Sequence, residues 1–427
     1  MSAFDRVIGY EKEKEQLLQL CDIAKNPQKY AALGVRLPRG VLLHGEPGVG
    51  KTLMATAFVE ETGRKRYFCR KDRPGDEFVN YIGSLFSEAK KNAPSVVLLD
   101  DLDKYISDHF MENSEELIAV QSGIDCVRDS DVFIIATANK INGFPETLLR
   151  PGRFDRVLEI GLPDRRQSVE IVRYYLSDKK VAADVKAEDV ARLMDGYSCA
   201  ALEAVLNEAG IYAGYERKTL IERDHLVRAV LRNIFSAEEN TNKMSKEEKE
   251  EVAFHEAGHA AVALSYDPEI VGLISLRSCR GEMRGVVQIL RNTSGIRTYA
   301  QMHKSVVSLL AGKAAVEIKY GRIDVGASSD IERASGIVEQ MITKHVTSGF
   351  GLYCMEQMRG NGILSGEQND KIVVERSAMI ARCYEEAKEL LRNHWAFVEK
   401  LAAELAERET LLYEEIQTLF KESESNR

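Results

Sequence analysis

Cysteine is sparse and scattered. The seven residues, at positions 21, 69, 126, 199, 279, 354 and 383, form no CxxC pair. This excludes a cysteine metal cluster and a disulfide framework, and it reads as reduced thiols in a cytosolic chain. Long apolar runs are missing as well. VVLL at 96–99 and VFIIATA at 132–138 fall far short of the roughly 18–20 residues that span a bilayer. The opening MSAFDRVIGYEKEKEQ is charged within a few residues, so it is no signal peptide. There is no basic excess: the formal net charge of -9 argues against a nucleic-acid or anionic-membrane binder. Internal repeats and low-complexity tracts are not found either. The expectation is a soluble, cytoplasmic chain with no membrane span.

What is present is 427 residues, 44% apolar and 29% charged. At roughly 100–200 residues per domain this length suggests two to four domains with real cores. The first 165 residues alternate short β-branched runs with amphipathic segments. VLLH (41–44), KRYFC (65–69), VVLLD (96–100), VFIIAT (132–137) and RVLEI (156–160) read as strands of a mostly parallel sheet with helices on both faces. Residues 166–235 read as a small helical bundle. The charge-dense SAEENTNKMSKEEKEE (236–251) is the linker candidate, and it runs into a helix that ends near Tyr266. IVGLISL and GVVQIL, within 270–290, look like short strands. The remainder reads as helical, ending in helices near 371–393 and 396–407.

GEPGVGKT at 45–52 follows a strand and opens a helix, the context in which a G-x-x-x-x-G-K-[ST] loop cradles phosphate. Gly45, Gly48 and Gly50 let backbone amides of the Glu46–Pro47–Gly48–Val49–Gly50 turn point at phosphate oxygens, and the helix N-terminus adds a favourable dipole. Lys51 would reach the β- and γ-phosphates and Thr52 would hold Mg2+. VVLLDDLD places Asp100 at a strand end for the magnesium ion and Asp101 to orient the attacking water. VFIIATA delivers Asn139 to the same edge, suited to contacting water or the γ-phosphate. In LLRPGRFDR (148–156), Arg150 and Arg153 are spaced by Pro-Gly and can act as arginine fingers toward a neighbouring subunit, or pair with Asp155 or Glu159 within their own.

These segments, in this order, resemble an AAA-class ATPase. The resemblance implies that Val7-Ile8-Gly9 contacts adenine through Ile8 and Gly9. It also implies that Leu53 lines the nucleotide site with the rest of the loop, and that GYSCAAL (196–202) is a second sensor segment. Such domains form hexameric rings with each nucleotide at a subunit boundary, so a homo-oligomer is expected.

HEAGH at 255–259 lies on the helix after the linker. Residues i and i+4 share one helical face, so His255 and His259 can bind one zinc ion, with Glu256 as general base toward the attacking water. A catalytic zinc needs a third protein ligand. His303, His345 and His394 remain downstream, and DVGASSDIERA (324–334) offers Asp330. There Ser329-x-x-Glu332 reads as a capping box, which sets Asp330 in a first helical turn. An acid at that position also simply complements the helix dipole.

An AAA module, a short linker, HEAGHA, AGKAAVE (311–317) and GASSDIERA (326–334) together resemble the FtsH-type ATP-dependent zinc metalloproteases. The likeness continues through RCYEEAKELL (382–391) and ERETLLYEEI (407–416). It implies zinc held by His255, His259 and Asp330, with ATP and Mg2+ in the first module and polypeptides as substrates. It also implies the fold: an α/β AAA core over 1–165, a helical lid over 166–240 and a mostly helical metallopeptidase domain over 241–427.

Four features depart from the family pattern. Family members usually carry N-terminal membrane helices, so this chain is expected to be a soluble relative or to lack that segment. The second acid of the magnesium strand is usually Glu and here is Asp101. The shorter side chain sets the water back, and a displacement near 1 Å costs on the order of a hundredfold in rate, so hydrolysis is expected to be slow unless the backbone compensates or Asp103 shares the role. The aromatic-Val-Gly pore loop has no clear match. Phe78 could serve, but Phe78, Ile82, Leu85, Phe86 and Ala89 form a helical core stripe. The family's second pore segment, after Asp103, also looks short and lacks its Gly-rich run. SLRSCRGEMRG (275–285) only loosely matches the family's proline-glycine element. Two other readings stay open: a nucleotide-gated remodelling or binding protein with a silent peptidase, and a zinc peptidase that digests unfolded polypeptides without ATP.

Overall fold

Each apolar run in the first part of the chain is too short for a helix and is followed by a helical period, so the chain lays down parallel strands joined by crossovers. The computed structural model describes residues 2–35, 37–73, 75–105, 115–141, 144–237, 244–277, 285–291, 298–322, 328–344 and 366–425. The chain divides into two compact units, Met1–Arg223 and Asp224–Arg427. Among the described residues no helix is long and apolar enough to cross a membrane.

The first unit runs α1 (Glu11–Lys25), α2 (Pro27–Ala31), β1 (Gly40–His44), α3 (Lys51–Thr62), β2 (Lys65–Cys69), α4 (Gly75–Lys91), β3 (Ser95–Leu99), α5 (Glu115–Cys126), β4 (Val132–Ala138) and β5 (Arg156–Glu159). It ends with α6 (Arg165–Leu176), α7 (Ala187–Leu193) and α8 (Cys199–Tyr215). The five strands are ordered β2-β3-β4-β1-β5, and every pairing is parallel. All strands therefore end at one edge, and β4 stands between β3 and β1. The three strands that carry the phosphate loop, Asp100 and Asn139 are neighbours at that edge, where open α/β sheets bind ligands.

Side-chain alternation along β4 sorts the two faces. Val132, Ile134 and Ala136 join the core formed with Phe78, Ile82, Phe86 and Ala89 of α4 and with Val120 and Ile124 of α5. Phe133 turns the other way, its ring centroid 5.0 Å from that of Phe58 on α3. Phe78 is fully buried in this core, as the helical stripe anticipates, and is not a pore aromatic. The second pore segment, after Asp103, lies largely outside the described residues. Helix α6 opens with a reciprocal capping box between Asp164 and Gln167. Between β5 and Arg223 the only extended pairing among the described residues is an isolated bridge, Val181 to Ile221.

The second unit contains α9 (Arg223–Phe235), α10 (Lys246–Tyr266), β6 (Val271–Ser275), β7 (Val286–Ile289), α11 (Tyr299–Tyr320), α12 (Ser328–Thr343), α13 (Gly366–Asn393), α14 (Trp395–Arg408), β8 (Thr410–Leu412) and α15 (Tyr413–Ser425). Helix α10 starts with a capping box between Ser245 and Glu248. Its alanine-rich body lies in a core with Val306, Leu310 and Ala314 of α11, Val338 and Ile342 of α12, and Leu401 and Leu405 of α14.

Two expectations are corrected here. The C-terminal part is not helical throughout: β8 pairs antiparallel with β6, giving the sheet β7-β6-β8. Glu409, with φ of 61°, turns the chain out of α14 into that strand. Helix α12 begins at Ser328, so Ser329 is inside the first turn and does not cap it. Asp330 nevertheless stands in that turn.

Candidate nucleotide and metal sites

The phosphate loop leaves β1 at Gly45 and enters α3 at Lys51. Gly48, with φ of +80°, faces α8: a Cβ there would lie 2.8 Å from Ser198 Oγ and 2.9 Å from Ala200 Cβ. The Ala200 amide donates to the Gly48 carbonyl at 3.0 Å, so the start of α8 rests on the loop. Val49 is buried, Leu53 is exposed and Ile8 is half-buried. Next to Ile8 and Gly9, the Tyr10 hydroxyl lies 3.5 Å from Cys199 Sγ at the start of α8. Cys199 in turn reaches the Val49 carbonyl at 3.8 Å.

Lys51 is buried and donates to the carbonyls of Gly45 and Glu46 at 2.9 and 2.8 Å and to Asn139 Oδ1 at 3.0 Å. Burial lowers its pKa, against the pull of the acids Asp103, Asp101, Glu46 and Asp100. Asp100, at the end of β3, is buried. Its Oδ1 accepts from Thr52 Oγ1 at 2.8 Å and Thr137 Oγ1 at 2.7 Å. Thr52 and Asp100 thus bring two hard oxygens together, the donor type that Mg2+ takes.

Asp101 and Asp103 differ. The Asp101 backbone adopts φ of 53°, and its Oδ2 pairs with Arg70 at 3.0 Å and Lys104 at 2.6 Å. Burial pushes its pKa up, but those cations outweigh it and the net shift is downward. Asp103 instead accepts from the Asn139 amide N–H at 3.1 Å and from Asn139 Nδ2 at 3.3 Å, which leaves Asn139 Oδ1 aimed at Lys51. Arg153 pairs with Asp125 at 2.8 Å and donates to the Thr147 carbonyl at 2.9 Å. Its partner is therefore neither Asp155 nor Glu159. Arg150 is exposed. Sequence reasoning missed Thr137, which holds Asp100 and accepts from the Asp101 amide at 2.9 Å. The only signal was its alternation phase: it shares the α3 side of β4 with Phe133.

In the second unit, α10 and α11 approach closely. A Cβ on Gly258 would lie 2.6 Å from Ala315 Cβ and 2.7 Å from the Ala311 carbonyl. That contact brings the face of α11 carrying Ser308, Ala311, Gly312 and Ala315 against the two histidines. His259 Nδ1 donates to the Ser308 carbonyl at 2.7 Å. In the neutral imidazole this leaves the lone pair on Nε2, the outer-shell arrangement common to metal-binding histidines.

His259 Nε2 lies 3.0 Å from His255 Nε2, and each is 3.2 Å from Asp330 Oδ2. These edges approach the about 3.3 Å expected between tetrahedral ligands placed 2.0–2.1 Å from zinc. Electrostatics agrees that a cation is favoured here. Burial works against an imidazolium at His259, yet the Asp330 and Glu256 carboxylates and the Ser308 carbonyl lift its pKa to about 8. Burial would raise Asp330, but hydrogen bonds from both histidines hold it well below the usual carboxylate range. Among the described residues these three form the metal-competent group of His, Cys, Asp or Glu donors. Of the other candidates, His303 faces Glu386 at 3.4 Å and His394 faces Glu424 at 3.6 Å; His345 lies outside the described residues.

Glu256 is buried beside the triad. Burial raises its pKa, opposed by His255 and His259, the direction that suits a general base. Its carboxylate abuts Gly285 at the entry to β7, where a Cβ would fall 2.4 Å from Oε1. Most of the expected proline-glycine element, 278–284, lies outside the described residues.

Comparison with known proteins agrees with this pairing of sites. Residues 41–162 match the profile of the ATPase family associated with various cellular activities (AAA), and residues 242–419 match peptidase family M41. The chain is 33% identical to "ATP-dependent zinc metalloprotease FtsH 1" of Thermomicrobium roseum, covering 98% of this chain and 68% of that protein. It is 32% identical to the FtsH of Ureaplasma parvum, over 97% of this chain and 60% of that one. It is 31% identical to FtsH 2 of a Thermoanaerobacter species, over 98% and 83%. The chain therefore spans between 60% and 83% of the length of these three relatives. With a phosphate loop at the sheet edge of one unit, a His-His-Asp triangle in the other and relatives alike along nearly all of it, the chain belongs to the FtsH family of ATP-dependent zinc metalloproteases.

Proposed function

We propose that this chain is an ATP-dependent zinc endopeptidase that feeds polypeptides into a proteolytic site, with an AAA core over 1–165, a lid over 166–240 and a peptidase domain over 241–427. The observation that carries this reading is the convergence of three potential ligand atoms, His255 Nε2, His259 Nε2 and Asp330 Oδ2, within 3.2 Å of one another beside a buried Glu256. These three residues would hold zinc. When bound, zinc lowers the pKa of water and polarises the scissile carbonyl. Glu256 takes a proton from the attacking water and returns it to the leaving amine. Its buried setting makes it a better base than an exposed glutamate.

In the ATPase unit, Lys51 and the backbone N–H groups of residues 45–52 other than Pro47 would bind the phosphates, Thr52 and Asp100 would hold Mg2+, and Ile8, Gly9 and Leu53 would border the nucleotide. Asn139, oriented by Asp103, would face the γ-phosphate. Asp101 would orient the attacking water only after leaving Arg70 and Lys104, which favours slow turnover. Arg150, being exposed, suits a finger reaching a neighbouring subunit, and Arg153 supports that loop from within. A homo-oligomer, a hexameric ring, follows from this assignment. Free thiols at Cys21, Cys69, Cys126, Cys199 and Cys383 favour a cytoplasmic setting.

The test is Glu256→Gln. Casein degradation is expected to fall by about 10²–10⁴-fold while nucleotide and zinc binding persist. Unchanged degradation would sink the assignment. The Asp101 ion pairs give some support to a nucleotide-gated remodelling protein with a silent peptidase. That reading requires zinc-loaded wild-type protein to cleave no peptide bond.

A further inference from the structure

Gly312 stands in the interior of α11, where glycine is a poor choice for helix stability. Close helix packing explains Gly258, whose nearest neighbours are Ala315 Cβ and the backbone of Ala311. Gly312 is different. A Cβ there would meet His259 Nε2 at 2.4 Å, His255 Nε2 at 2.7 Å and His255 Cε1 at 2.8 Å. Its three closest contacts would all be ring atoms of the two histidines, and two of them are the nitrogens that converge on Asp330 Oδ2.

We infer that Gly312 is a determinant of metal occupancy: its missing side chain leaves the room in which both histidine rings can bring their Nε2 atoms onto Asp330 Oδ2. The inference rests on the proposal that these residues hold zinc. A methyl group at 312 would press on both ring nitrogens, at 2.4 and 2.7 Å, and push the rings out of the positions in which they and Asp330 Oδ2 converge. Without metal the clash is with the ends of two side chains, which can rotate away. The backbone of α11 and the Gly258 contact are untouched, and alanine favours the helix. Gly312 is a positioning residue in this account; it touches no substrate.

The experiment compares the wild-type chain and Gly312→Ala, each stripped with a chelator and then titrated with Zn2+ against a chromogenic competitor. Thermal unfolding of both is recorded in the metal-free state. The wild type is expected to take one zinc per chain. Gly312→Ala is expected to bind about ten- to a hundredfold more weakly, while its metal-free form unfolds at or above the wild-type temperature. Zinc binding by the variant at wild-type affinity would overturn the inference. So would a metal-free variant that fails to fold or melts well below the wild type, because Gly312 would then serve packing. If the wild type itself binds no zinc, the functional reading falls first, and the inference with it.

Discussion

The two sites are built in opposite ways. The nucleotide site is assembled from strand ends, and its side chains are already engaged with one another. Lys51 holds the loop's own carbonyls, Thr52 and Thr137 hold Asp100, and Asp103 holds Asn139. The metal site is assembled from helix faces, and its inner atoms are two imidazole nitrogens and a carboxylate oxygen drawn to one point. A network of matched donors and acceptors keeps its shape without ligand. Two imidazoles gathered on carboxylates instead favour a cation, which is a proton on His259 or a metal ion. The first design positions; the second attracts.

The largest expected effect comes from breaking the His-His-Asp cluster. Asp330→Asn removes the anionic corner, and zinc affinity measured by competition is expected to fall by more than about a hundredfold, with protease activity lost. ATP binding, measured with a fluorescent analogue, is expected to be unchanged. A parallel loss of nucleotide binding would contradict the separation of the sites. A smaller effect is expected from loosening the matched network. Thr137→Val removes one donor to Asp100 and the acceptor for the Asp101 amide. Steady-state ATPase activity should fall roughly tenfold, the equivalent of about 1.4 kcal/mol, while zinc content stays at the wild-type level.

The smallest effect concerns the start of the chain. Glu61 accepts from Ser2 and the Ala3 amide and pairs with Lys25. The Lys25, Ala3 and Ser2 hydrogen bonds, in that order, hold its pKa near 2, against an ordinary 4.5. A depressed carboxylate stabilises the fold above its unfolded pKa and loses that contribution as pH falls from about 4.5 through 2. Glu61→Gln should therefore destabilise the chain by less than about 1 kcal/mol at pH 7, with the difference shrinking across that acid window. A gap that widens on acidification would contradict the assignment.

How legible each site was in the sequence follows the same division. The phosphate loop is contiguous, and its flanking strand and helix announce themselves by period. The five sheet strands lie within a residue of where their β-branched runs suggested. HEAGH is equally local, because helical spacing alone puts His255 and His259 on one face. What could not be read from local pattern is contact across chain distance. Asp330 had a plausible helix-dipole role and was singled out only by family likeness. Thr137 and Asp103 act through partners that strand order brings together, and Ser308 acts through a backbone carbonyl, which carries no side-chain signal. β8 is three residues long, too short for an alternation to register, and it forms because Glu409 redirects the chain beside β6. The Ser329 cap was misplaced because helix termini shift by a residue or two without changing the pattern that predicts them.

The central claim is that both sites serve one activity. Its most direct measurement is the degradation of a stably folded protein substrate by the purified, zinc-loaded chain, with ATP and without nucleotide. Degradation is expected with ATP, and little or none without it. Equal degradation in the two conditions, or none in either, would contradict the claim.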